Sequence, residues 1–358
     1  MHAIKDCEMG KINVVMTPNN HDYVVQLKKA LEKKGVNVFL LPPFHYAIFY
    51  DIFRLIYLKL KGYTIFHIHF EYVFPSTFLM KIIIKFLKKI GYKIIWTIHD
   101  ISDFKYSNRK LRSREKCQWL YYNSDYKFVH YKKNIERLKK YFDVEIENIE
   151  IIFHPCFEYK NTIGKKEARD ILNIPYNKKV ILSFGMIKRY KGYSELIKAF
   201  KKLDDSYICL IVGTGKHDPK TAEYIKKEAK KMRNIIVIDK YIPRDDVQIY
   251  FNASDVVVLP YIEITQSGII PLAYSFGRPV IATDVGALSE MIINKKTGLV
   301  IPPNDLNALI DAIKKIFNMD YEKMGREAYK MAKEKFTWER LAEQTIKVYE
   351  KVLRNEDK

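Results

Sequence analysis

Short apolar runs alternate with amphipathic stretches along the whole chain. Residues 11–16 (KINVVM) have the pattern of a buried strand, and 22–35 carry apolar positions at helical spacing that end in Gly35. The run 36–43 is a strand closed by Pro42 and Pro43, 45–61 an apolar aromatic helix, and 64–70 a strand. Residues 75–91 form a basic apolar helix and 92–100 a further strand. After a basic stretch at 107–116, the pattern gives a strand at 126–130, a helix at 132–142 and a strand at 149–155. A linker near 157–166 precedes a helix at 166–172 and strands at 180–185, 209–212, 235–238, 256–259 and 280–282. A helix at 267–276 stops at Gly277-Arg278-Pro279, and a last helix covers 337–353. Short apolar strands alternating with helices predict an α/β chain of doubly wound parallel sheets. In such folds the ligand-binding loops gather at the strand C-termini.

Length divides this alternation in two: 358 residues predict two domains of ordinary size. Apolar content of 48% excludes a disordered chain. Cys7, Cys117, Cys156 and Cys209 lie far apart, without metal-ligand or redox spacing, which predicts a reducing, cytoplasmic setting. The opening residues are too polar for a signal peptide, and 1–9 have the pattern of a ragged extension. No apolar run reaches the roughly 18 residues of a membrane span. The net charge of +20 is uneven: 81–140 hold 17 Lys/Arg against 5 Asp/Glu, which accounts for the whole basic excess of the N-terminal half. Richness in Lys, Ile, Glu and Tyr also fits a thermophile composition. Helix 78–90, with four lysines on an apolar body, and its neighbour 46–60 suit the inner face of an anionic membrane; a core helix with a solvated lysine edge is the plainer alternative. No nucleic-acid module accompanies the basic stretch, so no nucleic-acid partner is expected.

Several loops carry candidate chemistry. Thr265-Gln266-Ser267-Gly268 place small and polar residues at a helix N-terminus, which suits either a phosphate or an ordinary cap. The strand-loop-helix 183–200 holds Lys188, Arg189 and Lys191 in its loop, cations able to neutralise an anionic ligand or to form a solvated basic loop. Gly213 and Gly215 follow a strand and permit close approach of a ligand, although Gly-x-Gly alone is weak. His99 ends a buried strand, where α/β sites place polar side chains. His67 and His69 share one face of a strand without a further ligand, a pattern of local structure or acceptor contacts. No Asp-x-Asp pair appears, so neither a cofactor nor an obligatory metal is expected.

The blocks 183–200, 210–218, 254–290, 297–313 and 336–350, in this order and spacing, resemble the donor-binding half of the retaining family 4 glycosyltransferases. With a weaker N-terminal match, the resemblance covers nearly the whole chain. It implies the GT-B fold of two facing Rossmann-like domains with a cleft between them. The implied divisions are an acceptor-side domain at 1–160, a donor-binding domain at 161–335, and a helix at 336–358 crossing back to the first domain near Trp338 and Tyr349. It implies transfer of a sugar from a nucleotide-sugar to a glycan or lipid-linked acceptor with retained configuration, in surface polysaccharide or glycolipid synthesis. Lys191 matches the family lysine at the diphosphate, whereas the family arginine falls at Met186, leaving Lys188 or Arg189 to substitute. The two family glutamates fall at Ile264 and Leu272, so Glu263 and the Gln266-Ser267-Gly268 segment become the candidate donor contacts, as in a subgroup with Gln-Ser-Gly there. Gly185, Gly213 and Gly215 border the donor, Tyr241 and Ile242 lie where relatives cradle the base, and Glu290 either caps a helix or faces the donor. His99 corresponds to a histidine that reaches the donor sugar. A sugar-nucleotide epimerase of the same fold needs an acid/base pair that is not assembled here. The missing glutamates also fit an inactive donor-binding subunit.

Overall fold

The computed structural model describes residues 11–44, 48–99 and 110–354. The N-terminal extension, the first residues of the 45–61 helix and the start of the 107–116 basic stretch lie outside the described residues. The chain divides into two compact units, 1–154 with 338–358, and 155–337. These divisions fall at His154/Pro155 and Thr337/Trp338, a few residues from the boundaries at 160 and 335.

The first unit alternates β1 (Asn13–Thr17), α1 (Asp22–Glu32), β2 (Asn37–Leu40), α2 (Ile48–Leu60), β3 (Ile65–Ile68), α3 (Thr77–Lys89), β4 (Lys93–Ile98), α4 (Lys110–Asn123), β5 (Tyr126–Val129), α5 (Lys132–Phe142) and β6 (Ile149–Ile151). All six strands are parallel, in the order β2-β1-β3-β4-β5-β6. The order reverses between β1 and β3, the topological switch where ligand-binding loops gather in open α/β sheets. One sheet face buries Phe66, Ile68, Ile94, Trp96 and Ile98 against Leu55, Ile83, Ile84 and Leu87 of α2 and α3. The other carries a layer of histidines and aromatic side chains, described below. α3 begins at a Ser76 cap whose hydroxyl accepts the Leu79 N–H at 3.1 Å, satisfying one of the open donors of the first turn.

The second unit contains α6 (Lys165–Ile171), β7 (Lys179–Phe184), α7 (Tyr193–Phe200), β8 (Tyr207–Gly213), α8 (Pro219–Ala229), β9 (Ile235–Asp239), α9 (Val247–Ala253), β10 (Val256–Leu259), α10 (Ile269–Ser275), β11 (Val280–Thr283), β12 (Gly298–Ile301), α11 (Leu306–Phe317) and α12 (Tyr321–Lys335). Its parallel order, β12-β11-β10-β7-β8-β9, is the Rossmann order and reverses between β7 and β10. Val256–Leu259 and Val280–Thr283 are fully buried, as near-continuous apolar strands of a sheet covered on both faces must be. A buried pair, Arg169 and Asp255 at 2.9 Å, ties α6 to the start of β10, and Asp255 also accepts the Val180 N–H of β7 at 2.7 Å. α13 (Trp338–Arg354) packs against α1 in the first unit, burying Leu341, Ala342, Val348 and Tyr349.

Candidate functional site

In the second unit the loops after β7 and β10 flank the switch point. The β7 loop tightens into a 3₁₀ turn at Arg189–Lys191, and Gly192 follows with φ 69°. A Cβ on Gly192 would stand 1.8 Å from the Pro260 carbonyl oxygen, so only glycine lets the two loops meet. The Ile262 N–H donates to the Tyr190 carbonyl at 2.8 Å and closes the same contact. Lys191 is turned inward: the residue is 6% exposed, and its Nζ lies 2.7 Å from where a Cβ on Gly185 would stand. The ammonium stands 5.3 Å from the centre of the Tyr261 ring. Among the described residues no carboxylate pairs with it. Burial pushes its pKa from the ordinary 10.5 down to about 8. Ile269, first residue of α10, approaches the same Gly185 Cβ position at 3.7 Å. Gly185, Lys191, Tyr261 and the start of α10 therefore form one neighbourhood.

The α10 N-terminus differs from the expected anion site. The helix has seven residues instead of the ten at 267–276, and Ser267 Oγ takes the Ile269 N–H at 3.2 Å. Pro271 lacks an N–H, so the short helix contributes a small dipole and the anion argument moves to Lys191. Gly268 adopts φ −70°, an ordinary helical value, and a Cβ there would meet nothing within 4 Å. Neither backbone conformation nor packing requires glycine at 268; its surface is open to a ligand. Thr265 and Ser267 are buried, Gln266 half-buried, and Glu263 exposed. The loop is braced by the Ala287 N–H on the Thr265 carbonyl at 2.9 Å.

Other candidates separate from this neighbourhood. Arg189 is exposed and borders a shallow depression of about 280 Å³ with Tyr193, Lys220, Thr221 and Tyr224, whereas Lys191 faces Gly185. Lys188 is half-buried beside the Tyr190 ring. Gly213 and Gly215 have structural explanations: added Cβ atoms would stand 2.0 Å from the Gly185 carbonyl oxygen and 2.3 Å from Ala222 Cβ. Tyr241 is exposed and Ile242 buried, directly after β9. Glu290 is half-buried in a 3₁₀ turn, Leu288–Met291, whose cap residue is Ala287, so Glu290 caps no helix. Leu272, at the position of the second family glutamate, is buried inside α10.

The first unit holds a cluster that the chain order concealed. His69, His99, His130 and His154 stand at or just beyond the ends of β3, β4, β5 and β6, and His21 caps α1 after β1. Ile98 registers with Val129, and Val129 with Ile151, so His99 and His130 emerge side by side. His130 Nε2 is 3.1 Å from His99 Nδ1, and His99 Nε2 is 3.4 Å from His69 Nδ1. His130 Nδ1 lies 3.0 Å from the Ile152 carbonyl oxygen. His67 sits between Tyr349 Oη and Thr97 Oγ1, each at 2.7 Å. The Tyr23 ring of α1 packs on His69, His99, His130 and His154 at centroid distances of 4.5 to 5.9 Å. Phe70 stacks on His99 at 4.5 Å. Desolvation pushes the pKa of His67 and His130 down to about 3 and holds His69 and His99 well below the ordinary range. These four imidazoles are therefore neutral at pH 7. Among the described residues no group of three or more His, Cys, Asp or Glu side chains has metal-holding geometry. His21, Tyr23 and His130 were missed in the sequence. The available signal was a histidine near the end of each of five strands.

The basic apolar surface is also rearranged. α3 buries Met80, Ile83, Ile84 and Leu87, and its lysines form an edge in which Lys81 pairs with Glu115 and Lys88 with Asp125. The large exposed face belongs to α2: Phe49 (80% exposed), Tyr50, Phe53, Tyr57 and Leu60 (82%) line one stripe, opposite the buried Asp51, Leu55 and Leu58. No helix among the described residues is long and apolar enough to cross a membrane.

Residues 164–334, nearly all of the second unit, match the family model described as Glycosyl transferases group 1. D-inositol 3-phosphate glycosyltransferase from Corynebacterium urealyticum is 27% identical over 258 residues, covering 68% of this chain and 60% of that protein. An uncharacterized glycosyltransferase of Methanocaldococcus jannaschii is 24% identical over 225 residues, covering 60% of this chain and 57% of that protein. The chain thus spans about three-fifths of the length of these relatives. Sucrose-phosphate synthase from Thermosynechococcus elongatus has a similar fold, with TM-score 0.75, 19% identity, and coverage of 96% of this chain and 100% of that one. HepE of Anabaena, in a structure with UDP, also gives 0.75 at 13% identity, with 95% and 100% coverage. The two Rossmann-like units are those of the GT-B fold.

Proposed function

We propose that this protein is a glycosyltransferase that moves a sugar from a nucleoside-diphosphate sugar to a glycan or lipid-linked acceptor with retained anomeric configuration. The observation that carries this reading is the Lys191 ammonium: 6% exposed, without a carboxylate partner among the described residues, and beside Gly185 at the sheet's switch point. A buried cation held below its ordinary pKa is stabilised by an incoming anion. A departing diphosphate meets that requirement, because its negative charge grows as the glycosidic bond breaks. Gly268 gives the ligand close approach, and Gln266 and Ser267 supply polar contacts to phosphate and sugar hydroxyls in place of the family glutamates. His99 supplies the hydroxyl contact on the sugar that the resemblance assigns to it. Positioning and charge stabilisation are then the protein's tasks, with no metal required.

For the acceptor side, the α2 stripe and its flanking Arg54, Lys59 and Lys61, with Lys85 and Lys89 of α3, fit an anionic lipid surface. On this reading the protein works at the inner face of the cell membrane, on surface glycans or glycolipids. A second reading, a donor-binding subunit without turnover, is favoured by the apolar, buried Leu272 at the ribose-glutamate position. Incubation with UDP-, GDP- and ADP-sugars plus lipid and glycan acceptors, followed by mass spectrometry, separates the readings. A glycosylated acceptor supports transfer. Interconverted free nucleotide-sugars indicate an epimerase, and nucleotide binding without any product indicates the inactive subunit.

A further inference from the structure

The three linked imidazoles of the first unit admit one neutral arrangement of protons. The Ile152 carbonyl can only accept, so His130 Nδ1, at 3.0 Å, carries the hydrogen. A neutral imidazole has one N–H and one lone pair, so His130 Nε2 is the acceptor. His99 Nδ1, 3.1 Å away, must then donate to it. His99 Nε2 is consequently a lone pair and takes the His69 Nδ1–H at 3.4 Å. His69 Nε2 ends the series as a lone pair, and it is buried without a partner. Reversing the first two links would set the His130 Nδ1 lone pair against the Ile152 carbonyl oxygen. Reversing the last alone would set the His69 Nδ1 and His99 Nε2 lone pairs against each other. His67 is different: both its partners are hydroxyls, able to donate or accept, so nothing fixes its tautomer.

We propose that His130 and His69 are positioning residues that lock His99 as the neutral Nδ1–H tautomer, with its Nε2 lone pair committed to a hydroxyl-bearing ligand. The contact from His69 is the longer of the two His99 contacts, 3.4 against 3.1 Å, and is the one a ligand exchanges. A neutral nitrogen lone pair accepts an O–H hydrogen and repels phosphate and carboxylate oxygens. His99 therefore selects a neutral sugar hydroxyl. The diphosphate is left to cations such as Lys191. Among the described residues, His21, Tyr23, His67 and His154 surround the series, and none of these four is a carboxylate. Only the identity of the hydroxyl-bearing ligand rests on the glycosyltransferase reading; the tautomers do not.

The test is long-range ¹H–¹⁵N correlation of histidine-labelled protein at pH 7, with wild type, His130→Gln and His130→Leu. Free neutral histidine favours Nε2–H, so Nδ1–H signals for His69, His99 and His130 in wild type are the expected and distinctive result. Gln can donate to the Ile152 carbonyl and accept from His99, so His130→Gln retains the His99 tautomer, whereas His130→Leu releases it to Nε2–H. An Nε2–H form of His99 in wild type overturns the proposal even if His130→Leu does not fold. So does an unchanged His99 in a folded His130→Leu. In turnover assays His130→Leu lowers kcat by about tenfold with nucleotide-diphosphate affinity unchanged, and His130→Gln restores it. Wild-type kcat in His130→Leu overturns the positioning role. Wild-type protein with the expected tautomers but no transfer refutes the glycosyltransferase reading alone and leaves the tautomer assignment supported.

Discussion

Replacing Lys191 by Met should stabilise the ligand-free protein. The side chain keeps its length and apolar stem and loses the buried charge. A fall in pKa from 10.5 to about 8 corresponds to about 3 kcal/mol of destabilisation whenever the amine is charged. The lost attraction to the Tyr261 ring, roughly 0.5–2 kcal/mol, works in the opposite direction. The net expectation is a gain of about 1–3 kcal/mol at pH 7. The pH dependence follows from the lowered pKa: the unfolded chain binds more protons than the folded one between pH 8 and 10.5, so wild-type stability rises with pH through that window. The advantage of Lys191→Met should therefore be full below pH 8 and fade towards pH 10.5. Urea unfolding of both proteins from pH 6 to 10.5 measures it. A variant less stable than wild type at pH 7, or a difference independent of pH, would refute the idea that this cation is held at a cost for an absent anion.

The glycines give a paired test: Gly192→Ala forces a Cβ to within 1.8 Å of the Pro260 carbonyl oxygen and should impair folding on thermal melting, whereas Gly268→Ala should leave the Tm unchanged and weaken nucleotide binding. The histidine layer should make the protein sensitive to acid. His67 and His130, pushed down to about 3 from 6.5, each lower stability by up to about 1.4 kcal/mol per pH unit as pH falls through that window, measured by circular dichroism at pH 7 to 3. On the lipid side, Phe49, Phe53 and Leu60 changed together to Ser should abolish flotation with phosphatidylglycerol vesicles while leaving the fold intact, and unaltered flotation would remove α2 as the docking face.

Periodicity made the sheets legible because their strands are short Val/Ile runs buried on both faces, as at 256–259 and 280–283. The parallel order then followed from the alternation itself. The side-chain directions within loops were hidden. Arg189 and Lys191 lie two residues apart in one 3₁₀ turn, and the turn sends one outward and the other beneath Gly185. Spacing in the chain contains no trace of that difference. Helix 78–90 and its neighbour 46–60 suggested a membrane face together, yet only the structure shows that α2 exposes its apolar stripe while α3 buries Met80, Ile83, Ile84 and Leu87. The histidine cluster escaped detection because its members are spread from His21 to His154, and they meet through strand register and not through sequence proximity. Gly213 and Gly215 have packing reasons to be glycine, whereas a Cβ on Gly268 would meet nothing within 4 Å, a difference the sequence does not display.

The most direct test of a metal-independent diphosphate site at Lys191 is calorimetric titration of wild type and Lys191→Met with UDP, GDP and ADP in EDTA at pH 8.5, in buffers of different ionisation enthalpy. One nucleotide should bind wild type with uptake of up to about 0.7 proton, as the diphosphate returns the ammonium towards its ordinary pKa, and Lys191→Met should bind weakly with no uptake. Equal affinity in both proteins, or binding without proton uptake, would contradict it.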